Sequence, residues 1–313
     1  MPLALTLHLE PAQRLRVRVH QTEDPAWRRL HQIADAVAPE LAILWATVFN
    51  EVRDAIPEAA LRDALASANP LLVEDVLAPL WHRLGEAQAQ RLLPPHVRET
   101  VQRAAEVMVP TTEAMLGVSI DASFNVVVPE TLTAIDQYVG TQIRGITDLT
   151  LQNVRQVIRN GFSEGRSLMQ MMRDLEAFVG LTPRQTQAVE ALRQRLTDQG
   201  LSRAQVQQRV QEASQRALRQ RVESVVRTES ITMSSMGQDL LWQRAVADGL
   251  LDVNRFRRFW LVAGNPCPKI CARIPGMNPE GVRLGEPFST PAGQIMYPSA
   301  HPMCRCAVTA RVA

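Results

Sequence analysis

All four cysteines of this 313-residue chain, Cys267, Cys271, Cys304 and Cys306, lie within the C-terminal fifth, and His301 stands among them. Thiolate and imidazole are the ligands that zinc takes in structural sites, which typically present two close pairs separated by a longer excursion. CPKIC at 267–271 offers one pair and HPMCRC at 301–306 the other. Five candidates compete for four tetrahedral positions. Cys304 and Cys306 face the same way if their segment is extended, whereas His301, three residues before Cys304, suits a turn. Spacing leaves open whether the set is four cysteines or three with the histidine.

The same residues have other uses. Free cysteines serve as small buried hydrophobes, and disulfides form in oxidising compartments. A Cys/His nucleophile or a zinc hydrolase would require an open coordination position and a carboxylate base. The acids nearby are Asp252, Glu280 and Glu286, with no catalytic motif around them, so the expectation is a structural zinc rather than a catalytic one.

Charge is unevenly placed. Residues 251–313 carry 8 basic and 3 acidic side chains, whereas residues 1–250 carry 26 and 29, which gives the net charge of +2. Arg255, Arg257, Arg258, Lys269, Arg273 and Arg283 make the C-terminal region its basic end. Such a surplus suits solubility, an acidic protein partner, or sequence-independent contact with phosphate. With only Phe256, Phe259 and Trp260 interleaved, sequence-specific reading of bases is not expected.

These residues need elements to position them. Residues 1–20 alternate in LALTLHLE and RLRVRVH, the period of a short β element. From Pro25 to Gly117 the apolar spacing is helical, with Pro57, Pro70 and Pro94-Pro95 as punctuation. VSIDASFNVVVP at 118–129 reads as extended and leads into a long helix, with Gly140 and Gly145 as candidate breaks. Thr182, Pro183 and Gln185 spell a capping box opening a helix. Residues 202–248 read as one long helix or two joined ones. After Gly249 the chain holds 8 of its 20 prolines and 5 of its 15 glycines among short β-prone runs.

The expected organisation is therefore a mainly α N-terminal region with a short β element over 1–117, a region of long helices over 118–250, and a small loop-rich α+β domain over 251–313. About 60 residues bury little core, so a zinc staple is expected there. No run approaches the roughly 18 consecutive apolar residues of a membrane span, and MPLALTLHLE lacks the pattern of a secretory signal. Folding in the cytoplasm, with reduced thiols, is expected.

Arg227-Thr228-Glu229 within a helix, an aromatic strand ending at Trp260, the pair Cys267 and Cys271, the Gly276 and Phe288 segment and the closing PSAHPMCRC resemble, in this order, the phage minor head or head morphogenesis proteins typified by the F protein of phage Mu. The family commonly has CxxC where this chain has CPKIC, and PPxHP where it has PSAHP. The resemblance spans residues 227–306, with GFSEGRSLMQMMRDLEAF and LTPRQTQAVEALRQRL similar to the helical segment that precedes the motif. It implies a non-enzymatic structural protein of a tailed-phage head, assembled in the bacterial cytoplasm and acting in procapsid assembly at or near the portal vertex. Its implied partners are the portal protein, major capsid protein or scaffold, and non-specifically the phage DNA, with no membrane. Arg227, Thr228 and Glu229 would either form a solvated helix face or fix the long helix to the zinc domain. The alternative from another class is a zinc-dependent nucleic-acid-processing or toxin-like enzyme.

Overall fold

The capping box at Thr182 forms as its chemistry dictates: the Thr182 hydroxyl accepts from the Gln185 amide, the Gln185 side chain accepts from the Thr182 amide, and Pro183 occupies the first helical position. The computed structural model describes residues 25–67, 69–117, 119–120, 129–178 and 180–312. The alternating segment 1–20 and most of the extended stretch 118–129 lie outside the described residues.

In chain order the helices are α1 (Pro25–Asp54), α2 (Glu58–Ala66), α3 (Pro70–Leu80), a π-helical turn (Trp81–Glu86), α4 (Ala87–Leu116), α5 (Pro129–Ser163), α6 (Leu168–Phe178), α7 (Pro183–Asp198) and α8 (Arg203–Ala247). Pro57 and Pro70 punctuate as expected, one as the N-cap of α2 and the other as the first residue of α3. Pro94 and Pro95 do not: α4 runs through both. A proline inside a helix costs about 3 kcal/mol, but Leu93, Val97, Val101, Ala104, Ala105 and Met108 continue one buried stripe across them. Tertiary packing there outweighs local propensity. Gly140 and Gly145 likewise leave α5 unbroken. Among the described residues only α1 is long and apolar enough to cross a bilayer by composition. Its Leu30, Ile33, Val37, Leu41, Trp45 and Val48 are buried inside the protein, the behaviour of a core helix.

The described residues fall into two compact units, each discontinuous in sequence, unlike the consecutive segments suggested by composition. One is built from Ile43–Leu93 and Tyr138–Glu223, the other from residues 25–42, Pro94–Gln137 and Ser224–Ala313. The first unit is helical and closes over Leu61, Leu77, Val157, Ile158, Leu175, Phe178 and Val210. Each such side chain contributes about 1.5–3 kcal/mol on burial. Asp174, buried in α6, accepts from Arg166 and Arg193, and Arg166 also pairs with Glu190 at 2.5 Å. Arg221 is buried with no carboxylate partner among the described residues: its guanidinium donates to the Gly180 and Ile146 carbonyls and the Thr150 hydroxyl, and lies over the Phe49 ring. Burial lowers its pKa to about 10.

In the second unit α4 and α8 approach so closely that a Cβ at Gly237 would collide with the Val101 carbonyl oxygen and the Ala104 side chain. The helix α8 ends at Gly249, whose φ of 72° lets the Leu250 amide reach back to the Ala245 carbonyl. Beyond it, β1 (Phe256–Leu261) pairs antiparallel with β4 (Ala307–Val312), placing Arg257 opposite Arg311 and Trp260 opposite Val308. A small hairpin of β2 (Phe288–Thr290) and β3 (Gly293–Ile295) completes a loop-rich α+β module. Its core is Trp242, Phe256, Trp260, Ile274, Phe288 and Val308 together with Cys271, Cys304 and Cys306. Trp242 meets Phe256 edge-on at 5.2 Å, and Trp260 meets Phe288 at 5.3 Å.

Candidate metal centre

Two tight turns bring the sulfurs together. After CPKI the Ala272 amide bonds back to the Cys267 carbonyl, and Cys271 opens a single 3₁₀ turn that faces it into the core. At the other end the Cys304 amide bonds to the His301 carbonyl, with Met303 in the left-handed region at φ 63°. This is the turn that the three-residue spacing of His301 and Cys304 suits. Cys271, Cys304 and Cys306 are all buried, and their sulfurs lie within 4.8 Å of one another. These three thiols are positioned to bind a metal ion.

The spacing fits a tetrahedral thiolate site. Zinc–sulfur bonds of about 2.3 Å put two ligand sulfurs about 3.8 Å apart, and Cys271 Sγ and Cys304 Sγ are 3.8 Å apart. His301 Nε2 lies 3.0 Å from Cys271 Sγ, while its Nδ1 is 2.7 Å from the Pro302 carbonyl oxygen. A carbonyl can only accept, so Nδ1 donates to Pro302 and Nε2 is the ring atom that faces Cys271 Sγ, although His301 stands outside the group of three sulfurs. Cys267 is half-buried and packs at the edge of the module's core, outside the group of three.

The thiols share hydrogen bonds unequally. Those from Cys271 and then Cys306 hold Cys304 far below the ordinary thiol range, helped by the backbone amides of Cys306 and Ala300. The complementary effect, with Cys304 first and Cys306 next, pushes Cys271 far up. The three thiols titrate as one set, and the first proton lost from it leaves the thiolate form that ligates metal. None of the region's carboxylates belongs to the group.

The motif residues of α8 sit beside this centre. The Thr228 hydroxyl donates to the Ser224 carbonyl and accepts from the Met303 amide at 3.2 Å, and the Thr228 carbonyl accepts from the Ser299 hydroxyl at 3.1 Å. One turn on, the Thr232 hydroxyl accepts from the Ser299 amide. Of the two expectations for the motif, these bonds match the one that fixes the long helix to the Cys/His module. Arg227 is half-buried, Glu229 is buried, and Trp260 packs in the module core.

Of the basic residues, Arg255, Lys269, Arg273 and Arg283 are exposed, and Arg257 is half-buried, donating to the Asn254 and Phe256 carbonyls. Arg258 is corrected: it is fully buried and cannot meet phosphate. The reason is strand parity, since 256, 258 and 260 point inward in β1. Its guanidinium pairs with Asp239 at 2.5 Å, donates to the Arg283, Glu286 and Met296 carbonyls, and lies over the Phe288 ring. Burial pushes the Asp239 carboxyl upward, partly offset by Arg258.

Several residues at the site carried no signal in the sequence. Trp27 and His31 of α1 both bond the Arg305 carbonyl, from 278 and 274 residues away. Ser299 and Thr232 are ordinary polar residues until the fold brings them together. Searches against family models, curated proteins and solved structures give no match to this chain.

Proposed function

We propose that this protein is a non-enzymatic structural component of a tailed-phage head, acting in procapsid assembly at or near the portal vertex, with its C-terminal module closed by zinc on Cys271, His301, Cys304 and Cys306. The observation that carries this is the bonding of Thr228 into the turn that holds His301 and Cys304. It joins, in one unit, the helix motif and the closing Cys/His segment on which the resemblance to phage minor head proteins rests. With His301, which lies beside Cys271 but outside the group of three sulfurs, swung in as the fourth ligand, a tetrahedral shell would leave no position for substrate, the arrangement of a structural site. The proposed partners are portal, major capsid or scaffold protein, with packaged DNA as a non-specific contact of the exposed arginines.

Two measurements test it. Elemental analysis of protein purified under reducing conditions is expected to give about one zinc per chain; a folded, metal-free protein contradicts the zinc assignment. Mass spectrometry and cryo-electron microscopy of purified particles are expected to find the chain in the virion at the portal vertex. Nuclease activity that vanishes in His301→Ala would instead favour the enzyme alternative.

A further inference from the structure

We propose that Trp27 and His31 of α1 are positioning residues of the metal centre, acting through the single peptide unit that joins Arg305 to Cys306. The inference rests on the metal reading above and extends it to a helix at the far end of the sequence.

That peptide is held at its oxygen. Its carbonyl oxygen accepts from Trp27 Nε1 at 2.8 Å and from His31 Nε2 at 3.1 Å, which occupies both oxygen lone pairs. Its amide belongs to Cys306, whose sulfur is one of the three clustered thiols. Because a trans peptide is planar, fixing the C=O direction fixes the N–H direction. The same peptide connects two of the three clustered sulfurs, so its orientation sets the angle at which Cys304 and Cys306 converge.

The clamp is rigid. Trp27 and His31 are four residues apart on one helix face, both are buried, and their rings stack at 4.0 Å with 28° between planes. His31 keeps one N–H for this purpose: burial lowers its pKa to about 4, so the ring stays neutral at physiological pH. Since Arg305 O only accepts, the proton resides on Nε2. On the opposite side of the ligand turn, Thr228 and Thr232 of α8 hold Met303 and Ser299. The segment carrying His301, Cys304 and Cys306 is therefore bonded by two helices that are remote in sequence. Outer-shell hydrogen bonds of this kind are worth roughly 10–100-fold in metal affinity. Linkage makes the effect reciprocal: whatever α1 adds to metal binding, metal adds to the docking of α1.

The test is a cobalt(II) titration of the full-length reduced protein, following thiolate charge-transfer and tetrahedral d–d absorption against a chelator of known affinity. Trp27→Phe keeps the ring and removes the N–H; His31→Phe removes the donor, and His31→Gln restores one. Trp27→Phe and His31→Phe are expected to lose about 10-fold or more in affinity, with His31→Gln recovering much of it. Helicity equal to wild type makes these values interpretable. Variants that bind cobalt as tightly as wild type overturn the positioning role while leaving the metal reading intact. A wild-type protein that gives no thiolate band overturns the metal reading and this inference with it. For any variant that does not fold, hydrogen exchange on the wild type decides: amides of residues 26–42 are expected to lose protection when the metal is chelated, and unchanged protection contradicts the clamp.

Discussion

The two units close their cores in different ways. In the helical unit, cations are matched by carboxylates, as in Arg166 and Arg193 with Asp174 of α6, or by backbone carbonyls, as in Arg221. These groups lie beside an aliphatic core drawn from α2, α3, α5, α6, α7 and α8. The C-terminal module has short strands and loops, and three of its core positions are thiols. Helices satisfy their own backbone, so a helical unit can devote its side chains to packing; a loop-rich module packs less apolar surface per residue and needs a crosslink. The comparison teaches that the cysteines appear where secondary structure is sparsest.

Removing the crosslink should separate the two regions most sharply. Structural zinc in small modules contributes on the order of 10 kcal/mol. Chelation, or Cys304→Ser, is therefore expected to expose residues 251–312 to protease while the core of α5, α6 and α7 stays resistant, as read by mass spectrometry of the fragments. Equal protection with and without chelator would erase the distinction.

The buried ion pairs sharpen the comparison at the next level. Arg258→Ala leaves the Asp239 carboxylate buried without its cation and is expected to cost about 3–5 kcal/mol. Asp174→Ala, which leaves Arg166 its glutamate partners, should cost less. Chemical denaturation of both variants gives the ranking. An Arg258→Met, Asp239→Leu double variant that regains most of the loss would confirm that an unpaired charge, rather than lost packing, is the cause.

Acid should act on the C-terminal unit through His31. Its folded pKa of about 4 lies below the unfolded value of 6.5, so between these the unfolded chain binds the proton first. The contribution is complete above about pH 6.5 and is lost as pH falls toward 4, amounting to about 3 kcal/mol at 1.36 kcal/mol per unit. The difference between wild-type and His31→Gln denaturation midpoints across pH 7 to 4 isolates it from any effect of the thiolates.

The smallest stability effect belongs to the outer face of β1 and β4, where Arg257 and Arg311 are paired across the strands. Replacing both with Ala should change stability by under about 0.5 kcal/mol. If packaged DNA is a partner, the slope of log K against log salt for non-specific binding should become shallower by roughly 0.9 for each phosphate that is no longer neutralised. Unchanged DNA binding with weaker capture by portal would assign the face to protein.

Much of this was legible locally. The Thr182 cap, the span of α8 and the stop at Gly249 rest on neighbours in sequence, which is why residue types alone placed them. The ligand pairs were visible for the same reason, whereas which of the five candidates converge depends on how two loops face each other. The α4 prolines misled because the buried stripe that carries the helix through them is a tertiary fact. Arg258 is more instructive. Phe256 and Trp260 share a strand face with it, so parity pointed inward, but the Asp239 that makes burial tolerable lies on another element. Trp27 and His31 had no local signal for a partner some 270 residues away.

Gly237 gives an instruction opposite to that of Gly140 and Gly145 in α5. Replacing helical glycine with alanine is an ordinary route to thermostability, because it narrows the unfolded ensemble. At Gly145 nothing stands within 4 Å of the added methyl, and at Gly140 only a flexible arginine tip lies near it. At Gly237 the methyl would meet the main chain of α4, which cannot swing aside. An engineer following a general recipe would gain at the first two positions and wedge two helices apart at the third.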